Sequence, residues 1–322
     1  MIEILTSGLM NSVQDLGRPG FLDQGIGRGG MMDRTALRVG NLLVGNDEGA
    51  AGLEISIFPF RIRFVETSFF AVTGAGAIAT LNGVPLPPWW AHAANAGDEL
   101  RIEPPDRGAR VVLAFSGGLD VPLVLGSRST DLKSGFGGLE GRALKRGDRL
   151  AVRSAGPVKS NHRQGCGADP AMFRDAGATQ LRVMTGAEFS AFAPEAAVAF
   201  FSERYTVSRD NNRQGMRLDG AALALTQKLE LHSHGIMPGT VQVPPSGQPV
   251  IQLAEANTCG GYPKIAHVIE PDHWKLAQAS SGTQFSFVEV SREQAVAAIR
   301  NEELQIRRLR NLMPLVAARK AS

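Results

Sequence analysis

Four stretches of the sequence gather side chains able to do chemistry. The first holds Gln14-Asp15-Leu16-Gly17-Arg18 and, after a short gap, Gly25-Ile26-Gly27-Arg28-Gly29-Gly30-Met31-Met32-Asp33. Clustered glycines free the backbone N–H groups to converge on an anion, and a helix start directly after them favours negative charge. No apolar strand precedes these glycines, so a dinucleotide-binding fingerprint is not supported. Asp15 and Arg18 read either as an ion pair fixing a loop or as part of an anion site, and Asp33 also reads simply as a helix N-cap. The second stretch is Gly126-Ser127-Arg128-Ser129-Thr130-Asp131-Leu132-Lys133-Ser134, followed by Gly135, Gly137, Gly138 and Gly141-Arg142. A phosphate loop needs glycine directly before its lysine, and here Leu132 stands there, so a P-loop NTPase is rejected. Its hydroxyls and cations still make an anion cradle an alternative to a solvated loop.

The third stretch is Asn211-Asn212-Arg213-Gln214-Gly215-Met216-Arg217-Leu218. Two arginines four apart can fork a carboxylate or phosphate, or simply flank a polar turn leading into a strand. The fourth runs through Gly239-Thr240-Val241-Gln242-Val243-Pro244 to Thr258-Cys259-Gly260-Gly261-Tyr262-Pro263-Lys264. Gln242 offers an amide to a polar ligand, and Tyr262 and Lys264 can donate to a carbonyl or carboxylate. Cys259 has no base beside it in the sequence, which argues against a nucleophile. His232 and His234 lack an identifiable third ligand, so no metal site is expected. There is no Gly-x-Ser-x-Gly elbow and no Ala-Met-Lys-Met-type biotinylation site.

The elements that must position these residues are mostly short strands. Phe60–Val65, Phe69–Thr73, Arg110–Phe115, Leu181–Met184, Thr240–Val243 and Phe285–Val290 are β-branched or aromatic-rich and end in turn signals. Asn82-Gly83 marks a two-residue hairpin between Ile78–Leu81 and Val84–Leu86. Three helices are expected: one capped by Asp33 and ending at Gly45-Asn46, a short one after Pro271-Asp272, and one opening at Ser291 with Gln294 as a capping box and ending near Met313, before Pro314. Residues 155–178 follow neither helical nor strand periodicity and read as a linker. It would join a domain over 1–154 to one over 179–322 that carries the C-terminal helix.

Composition agrees. The chain has 322 residues with 37 Gly and 18 Pro, 43% hydrophobic and 20% charged. Glycine is about 11%, against a usual share of roughly 7%, so an all-helical protein is excluded. The net charge of +3 is misleading. Arg307, Arg308, Arg310, Arg319 and Lys320 give the last seventeen residues +5, leaving −2 for the remainder, which is not a nucleic-acid-binding balance. Two cysteines, Cys166 and Cys259, no basic-apolar leader and no long apolar run lead to the expectation of a soluble cytoplasmic protein with reduced thiols and no membrane contact.

Taken in order, the motifs resemble one family. Gln14-Asp15-x-Gly17-Arg18, Gly29-Gly30-x-x-Asp33, Leu53-Glu54, Gly126-Ser127-Arg128-Ser129-Thr130 and Gly137-Gly138 are similar to its first half. Asn212-Arg213-x-Gly215-x-Arg217-Leu218, Gly239-x-x-Gln242-Val243-Pro244, Gly247-x-Pro249 and Gly260-Gly261-Tyr262-Pro263-Lys264 are similar to its second. This is the allophanate hydrolase subunit 2 / biotin-dependent carboxyltransferase family, which includes the C subunit of 5-oxoprolinase. The resemblance implies a mainly β protein of two cyclophilin-like β-barrel domains. It implies a component of an ATP-dependent hydrolase opening 5-oxoproline or a related small amide, active only with A-like and B-like partner subunits, the B-like one cyclophilin-like itself. Two alternatives come with it: a carboxyltransferase component with biotin carried on another chain or domain, or a regulatory antagonist that binds a kinase inhibitor related to the B subunit. For the site, the resemblance and side-chain chemistry together suggest Asp15, Glu54 and Lys264 as catalytic groups. Arg18, Ser127, Arg128, Ser129, Arg213, Arg217, Gln242 and Tyr262 would bind substrate or anion. Arg213→Ala and Lys264→Ala are then expected to abolish turnover at nearly unchanged melting temperature. The sequence departs from the family pattern at Glu255-Ala256-Asn257-Thr258-Cys259, where Asp, Gln and Thr are usual at the first, third and fifth positions, and at Ala187, which replaces a usual Pro.

Overall fold

A computed structural model describes residues 1–6, 8–153, 165–174 and 179–321, with side chains described as far as 313. The chain divides into two compact units, one of residues 1–18, 29–174 and 303–322, the other of 19–28 and 175–302. Of the linker expected over 155–178, residues 155–164 and 175–178 lie outside the described residues. Its described part, 165–174, packs within the first unit, where Gly167 bridges to Trp90 and Phe173 stacks on Trp89.

The first unit contains β1 (Ile2–Ile4), β2 (Ser12–Gln14), β3 (Gly52–Ile55), β4 (Phe60–Phe64), β5 (Ser68–Gly76), β6 (Ala79–Leu81), β7 (Val84–Leu86), β8 (Trp90–Ala94), β9 (Glu99–Ile102), β10 (Arg107–Phe115) and β11 (Arg149–Leu150), with helix α1 (Arg34–Val44). They form a six-stranded sheet, β11-β1-β4-β9-β6-β7, and a five-stranded sheet, β2-β3-β10-β5-β8. Ile2, Ile4, Phe60, Ile62 and Phe64 of the first meet Leu53, Phe70, Val72, Val111, Leu113 and Phe115 of the second in one core. The strand period of two sends the alternate residues Ala71, Val112 and Ala114 to the other face, under α1. Small side chains there let the helix approach closely: a Cβ on Gly40 would lie 3.2 Å from the Ala114 Cβ and from the Thr73 hydroxyl. Leu37, Val39 and Leu43 are fully buried, each contributing about 1.5–3 kcal/mol of apolar burial. Asp33 caps the helix by accepting from Ala36 N–H at 3.0 Å, and Gly45 ends it with φ 85°. The Asn82-Gly83 turn joins β6 to β7 with φ of 50° and 82°, the left-handed pair such a hairpin needs.

The second unit contains β12 (Gln180–Thr185), α2 (Pro194–Ser202), β13 (Tyr205–Val207), β14 (Gly215–Asp219), β15 (His234–Gly235), β16 (Thr240–Gln242), β17 (Val250–Gln252), β18 (Cys259–Gly260), β19 (Lys264–Val268), α3 (His273–Gln278), β20 (Gln284–Glu289) and the start of α4 (Arg292–Ala321). Seven of these strands close a barrel in the order β12-β19-β16-β17-β14-β13-β20, and β15 pairs only with β18. Leu181, Val183, Val241, Ile251, Phe285 and Phe287 are buried, with Phe200 of α2 stacked on Phe287 at 4.3 Å. The chain is therefore mainly β, as expected. The second unit is the closed barrel, and the first is two sheets around one core.

Two helices differ from expectation. Helix α2 is added, with Pro194 at its first position, where the missing N–H costs nothing. The capping box at Ser291 and Gln294 forms reciprocally, at 2.8 and 3.2 Å, but α4 does not end at Pro314. It continues to Ala321, because Leu315, Ala317, Ala318, Arg319 and Lys320 are strong helix formers on the far side of the proline. From Glu303 onward α4 belongs to the first unit, where Ile306, Leu309 and Met313 join the cluster around α1 and Arg38 binds Glu303 through its two terminal guanidinium nitrogens. Among the described residues no helix is long and apolar enough to cross a membrane.

Candidate functional site

In the first unit the expected site residues assemble around one carboxylate. Asp15 follows β2, and the loop at 127–130 crosses beside it, held by the Thr130 N–H donating to Val13 O at 2.9 Å. Asp15 Oδ1 accepts from the hydroxyls of Ser127 and Ser129, both at 2.6 Å, and from Gly17 N–H at 2.8 Å. Its Oδ2 accepts from Arg128 N–H at 2.6 Å. Four donors satisfy the carboxylate. The two serines, expected to bind substrate or anion, donate to Asp15, as does the Arg128 backbone amide. The Arg128 side chain donates from Nε to Val121 O at 3.0 Å. Arg18 is buried, lies 4.6 Å from the Phe136 ring centroid and donates to Ser129 O. Gly137, with φ 71°, runs so close that a Cβ would sit 2.3 Å from Ser129 O and 2.9 Å from Arg18 Nη2. Here Gly137 admits neighbouring backbone and a buried guanidinium. Glu54, on β3 opposite Ser12 and Val112, is 1% exposed; it accepts from Met32 N–H at 2.7 Å, with Arg110 Nε 3.7 Å away. Asp15, Arg18, Ser127, Arg128 and Ser129 thus form one connected group, and Glu54 lies on the neighbouring strand, opposite Ser12.

In the second unit the sheet register brings the residues together. Along β14, Met216 and Leu218 point into the barrel and are buried, so Arg217 between them points out and is exposed. Arg217 lies opposite Val250 of β17, and Val250 lies opposite Gln242 of β16. Gly215 lies opposite Gln252. A cavity of about 300 Å³ opens over this lattice, lined by Asp210, Asn212, Gln214, Gly215, Arg217, Gln242, Pro244, Val250, Gln252, Asn257 and Tyr262. Five of these are carboxamides, one is a cation and one an anion. Among the described residues the Arg217 guanidinium has no hydrogen-bond or ion-pair partner. The lining includes the expected Arg217, Gln242 and Tyr262 and adds Asp210 and Gln252. Nothing in the sequence singles those two out, since only strand pairing and the turn before β14 bring them to the cavity.

Arg213 and Lys264 are not part of the lining, although Lys264 lies opposite Gln242 in the register. Arg213 is 2% exposed and donates from Nε to Glu255, itself 6% exposed, at 2.6 Å. A buried pair of this kind is costly to break from one side, so Arg213→Ala is a destabilising change and the expectation of an unchanged melting temperature is revised. Lys264 is buried; its ammonium donates to Tyr262 O at 3.2 Å and reaches Gly260 O at 3.5 Å. Burial lowers its pKa below the ordinary lysine value, with Glu188 opposing the shift. It fixes the turn that carries Tyr262 into the cavity wall. Gly260 has to be small there, since a Cβ would sit 2.8 Å from Gln242 Nε2. His234 donates from Nδ1 to His232 O at 3.0 Å, and its Nε2 lies 3.7 Å from Glu188. Among the described residues no three metal-ligating side chains come together.

Among the described residues, the second unit is a closed β-barrel whose wall carries a small, open, carboxamide-lined cavity with the unpaired Arg217 in its lining. The family model of the carboxyltransferase domain, subdomains A and B, matches residues 24–289, and the chain belongs to that family. It is 41% identical to the C subunit of 5-oxoprolinase from Escherichia coli over 303 residues, 94% of this chain and 96% of that one. It is 36% identical to the C subunit of 5-oxoprolinase from Haemophilus influenzae over 313 residues, 97% and 99% of the two chains. The crystal structure of the K. lactis urea amidolyase superimposes with a TM-score of 0.89 at 28% identity, covering 96% of this chain; the chain spans about a fifth (20%) of that protein.

Proposed function

We propose that the chain is the C-type component of an ATP-dependent lactam hydrolase of the 5-oxoprolinase kind, acting on 5-oxoproline or a related small amide with A-like and B-like partner subunits. The observation that carries this is the cavity of the second unit, where five carboxamides, Tyr262 and an unpaired Arg217 surround space for a small, polar, anionic amide. Near full-length similarity to two proteins named as the C subunit of 5-oxoprolinase supports it. The chain's part is to bind and orient. Carboxamides donate to and accept from an amide, Arg217 holds an anionic group, and Asp210, exposed at the rim, can accept a proton from a bound substrate. ATP would activate the amide oxygen for attack by water. The donors of this chain most suited to phosphate, on the 127–129 loop, are engaged by Asp15, so the nucleotide is assigned to a partner subunit. That dependence on ATP is the ground for a cytoplasmic location.

The test is co-purification with the two partners and measurement of lactam-dependent ATP hydrolysis. The assembled complex is expected to hydrolyse ATP only when the lactam acid is present, and this chain alone to be inactive. A complete complex without lactam-dependent turnover overturns the reading. The family model favours a second reading, carboxyl transfer from biotin carried on another chain. Avidin-sensitive, bicarbonate-dependent activity would support that one instead.

A further inference from the structure

The cavity wall specifies more than a polar ligand. Gln242 is 4% exposed and its amide is held from two sides. Its Oε1 accepts from Gln252 Nε2 at 3.0 Å, and its Nε2 donates toward Tyr262 O at 3.4 Å. Those bonds use one N–H of Gln242 and one N–H of Gln252. Gln242 keeps one N–H to offer and Gln252 keeps its Oε1, which accepts no hydrogen bond among the described residues. The bonded pair thus retains one donor and one acceptor. That is the complement of an amide whose C=O and N–H share one edge, the cis arrangement enforced in a small lactam; a trans amide turns the two groups to opposite edges.

Gly215, opposite Gln252, leaves the space over this pair open; a Cβ there would crowd the Val250 Cγ1 at 3.1 Å. On the same face, Arg217 stands two strands from Gln242, with Val250 between them. At about 4.8 Å per strand their backbones are roughly 10 Å apart. Both residues line the cavity, and that spacing suits a ligand with an anionic group a few bonds from its amide.

We infer that the Gln242–Gln252 amide pair and Arg217 form a two-part clamp for a cis-amide carrying a carboxylate, and that Arg217 discriminates against amides without one. This rests on the reading of the cavity as the substrate site and names the features it selects.

The experiment titrates four probes into the full chain, alone and assembled with its partners, by calorimetry. They are 5-oxoproline, its N-methyl derivative, 2-pyrrolidinone and urea. Wild type is expected to bind 5-oxoproline at least about tenfold tighter than any of the other three, in line with a charge-assisted contact plus a satisfied amide edge. Arg217→Leu should remove the advantage of 5-oxoproline over 2-pyrrolidinone, and Arg217→Lys should restore part of it. Gln252→Leu should weaken both lactams and erase discrimination against N-methylation. Melting curves identify any variant that fails to fold, and if Gln252→Leu does so, Gln252→Met, which keeps the side-chain length and removes the acceptor, replaces it. The clamp is overturned if wild type binds no lactam acid in either form, if the N-methyl derivative binds equally well, or if Arg217→Leu binds 5-oxoproline as wild type does. If the probes behave as expected while the complex shows no lactam-dependent ATP hydrolysis, the activity fails and the clamp stands. If the complex turns over and the variants are indifferent, the reverse holds.

Discussion

Two arginines four residues apart, Arg213 and Arg217, have opposite surroundings and provide an internal control. Arg213 is buried against Glu255, whereas Arg217 is exposed on the cavity wall. Arg213→Ala leaves the Glu255 carboxylate in a site where it is 6% exposed, without the cation at 2.6 Å. Removing one partner of a buried pair typically costs about 3–5 kcal/mol. For a unit of this size each kcal/mol lowers the midpoint by roughly 2–4 °C, so the barrel transition should fall by about 6–20 °C. Arg217→Ala should stay within about 2 °C of wild type, as exposed substitutions do. Differential scanning calorimetry of both variants reads the contrast directly. Arg213→Met with Glu255→Leu should recover most of the loss, because no charge is then left buried. The reasoning is refuted if Arg213→Ala melts with wild type, or if the double variant is no better than the single.

Three further outcomes follow from single groups. The Tyr205 hydroxyl is buried with no hydrogen-bond partner among the described residues, and burial, aided by Glu203, pushes its pKa up to about 12; Tyr205→Phe should leave the barrel as stable or raise its stability by about 1 kcal/mol, and a clear loss in urea melts would show a partner at that oxygen. Gly137→Ala should cost the first unit more than about 2 kcal/mol in the same assay, since it adds both a strained φ and a methyl 2.3 Å from Ser129 O; an unchanged midpoint would mean the loop moves aside freely. Burial holds the His267 imidazole below its ordinary value of 6.5, against the opposing pull of Glu270. The folded barrel therefore binds fewer protons than the unfolded chain, and this contribution to stability, complete above pH 6.5, declines as pH falls toward the folded value. His267→Gln should flatten the barrel's stability between about pH 7 and 5, and an unaltered slope would exclude His267 as its source.

The sequence carried much of this architecture because strands and turns leave local marks. Alternating apolar residues place β4, β5, β10, β12, β16 and β20 to within a few residues, and Asn82-Gly83 allows little but a tight hairpin. Helix α2 is hidden because its alanines and phenylalanines show no polar face, and Pro314 reads as a stop although the residues after it favour helix. The candidate site was readable where one strand decides it, as at Arg217 and Gln242. It was not readable where pairing decides it. Gln252 joins Gln242 through the β16–β17 register, and Glu255 neutralises Arg213 from 42 positions away. Asp15, Ser127 and Ser129 have the right chemistry for an anion site, yet a contact spanning 112 positions turns their hydroxyls inward on the carboxylate.

The substrate-binding role of the barrel cavity is tested most directly by a crystal structure of the full chain grown with 5-oxoproline. Ligand density is predicted in the cavity of the second unit, with the carboxylate on Arg217 and the lactam edge on Gln242 and Gln252. Density instead at the Asp15–Ser127–Ser129 loop of the first unit, with the cavity empty, would contradict that role.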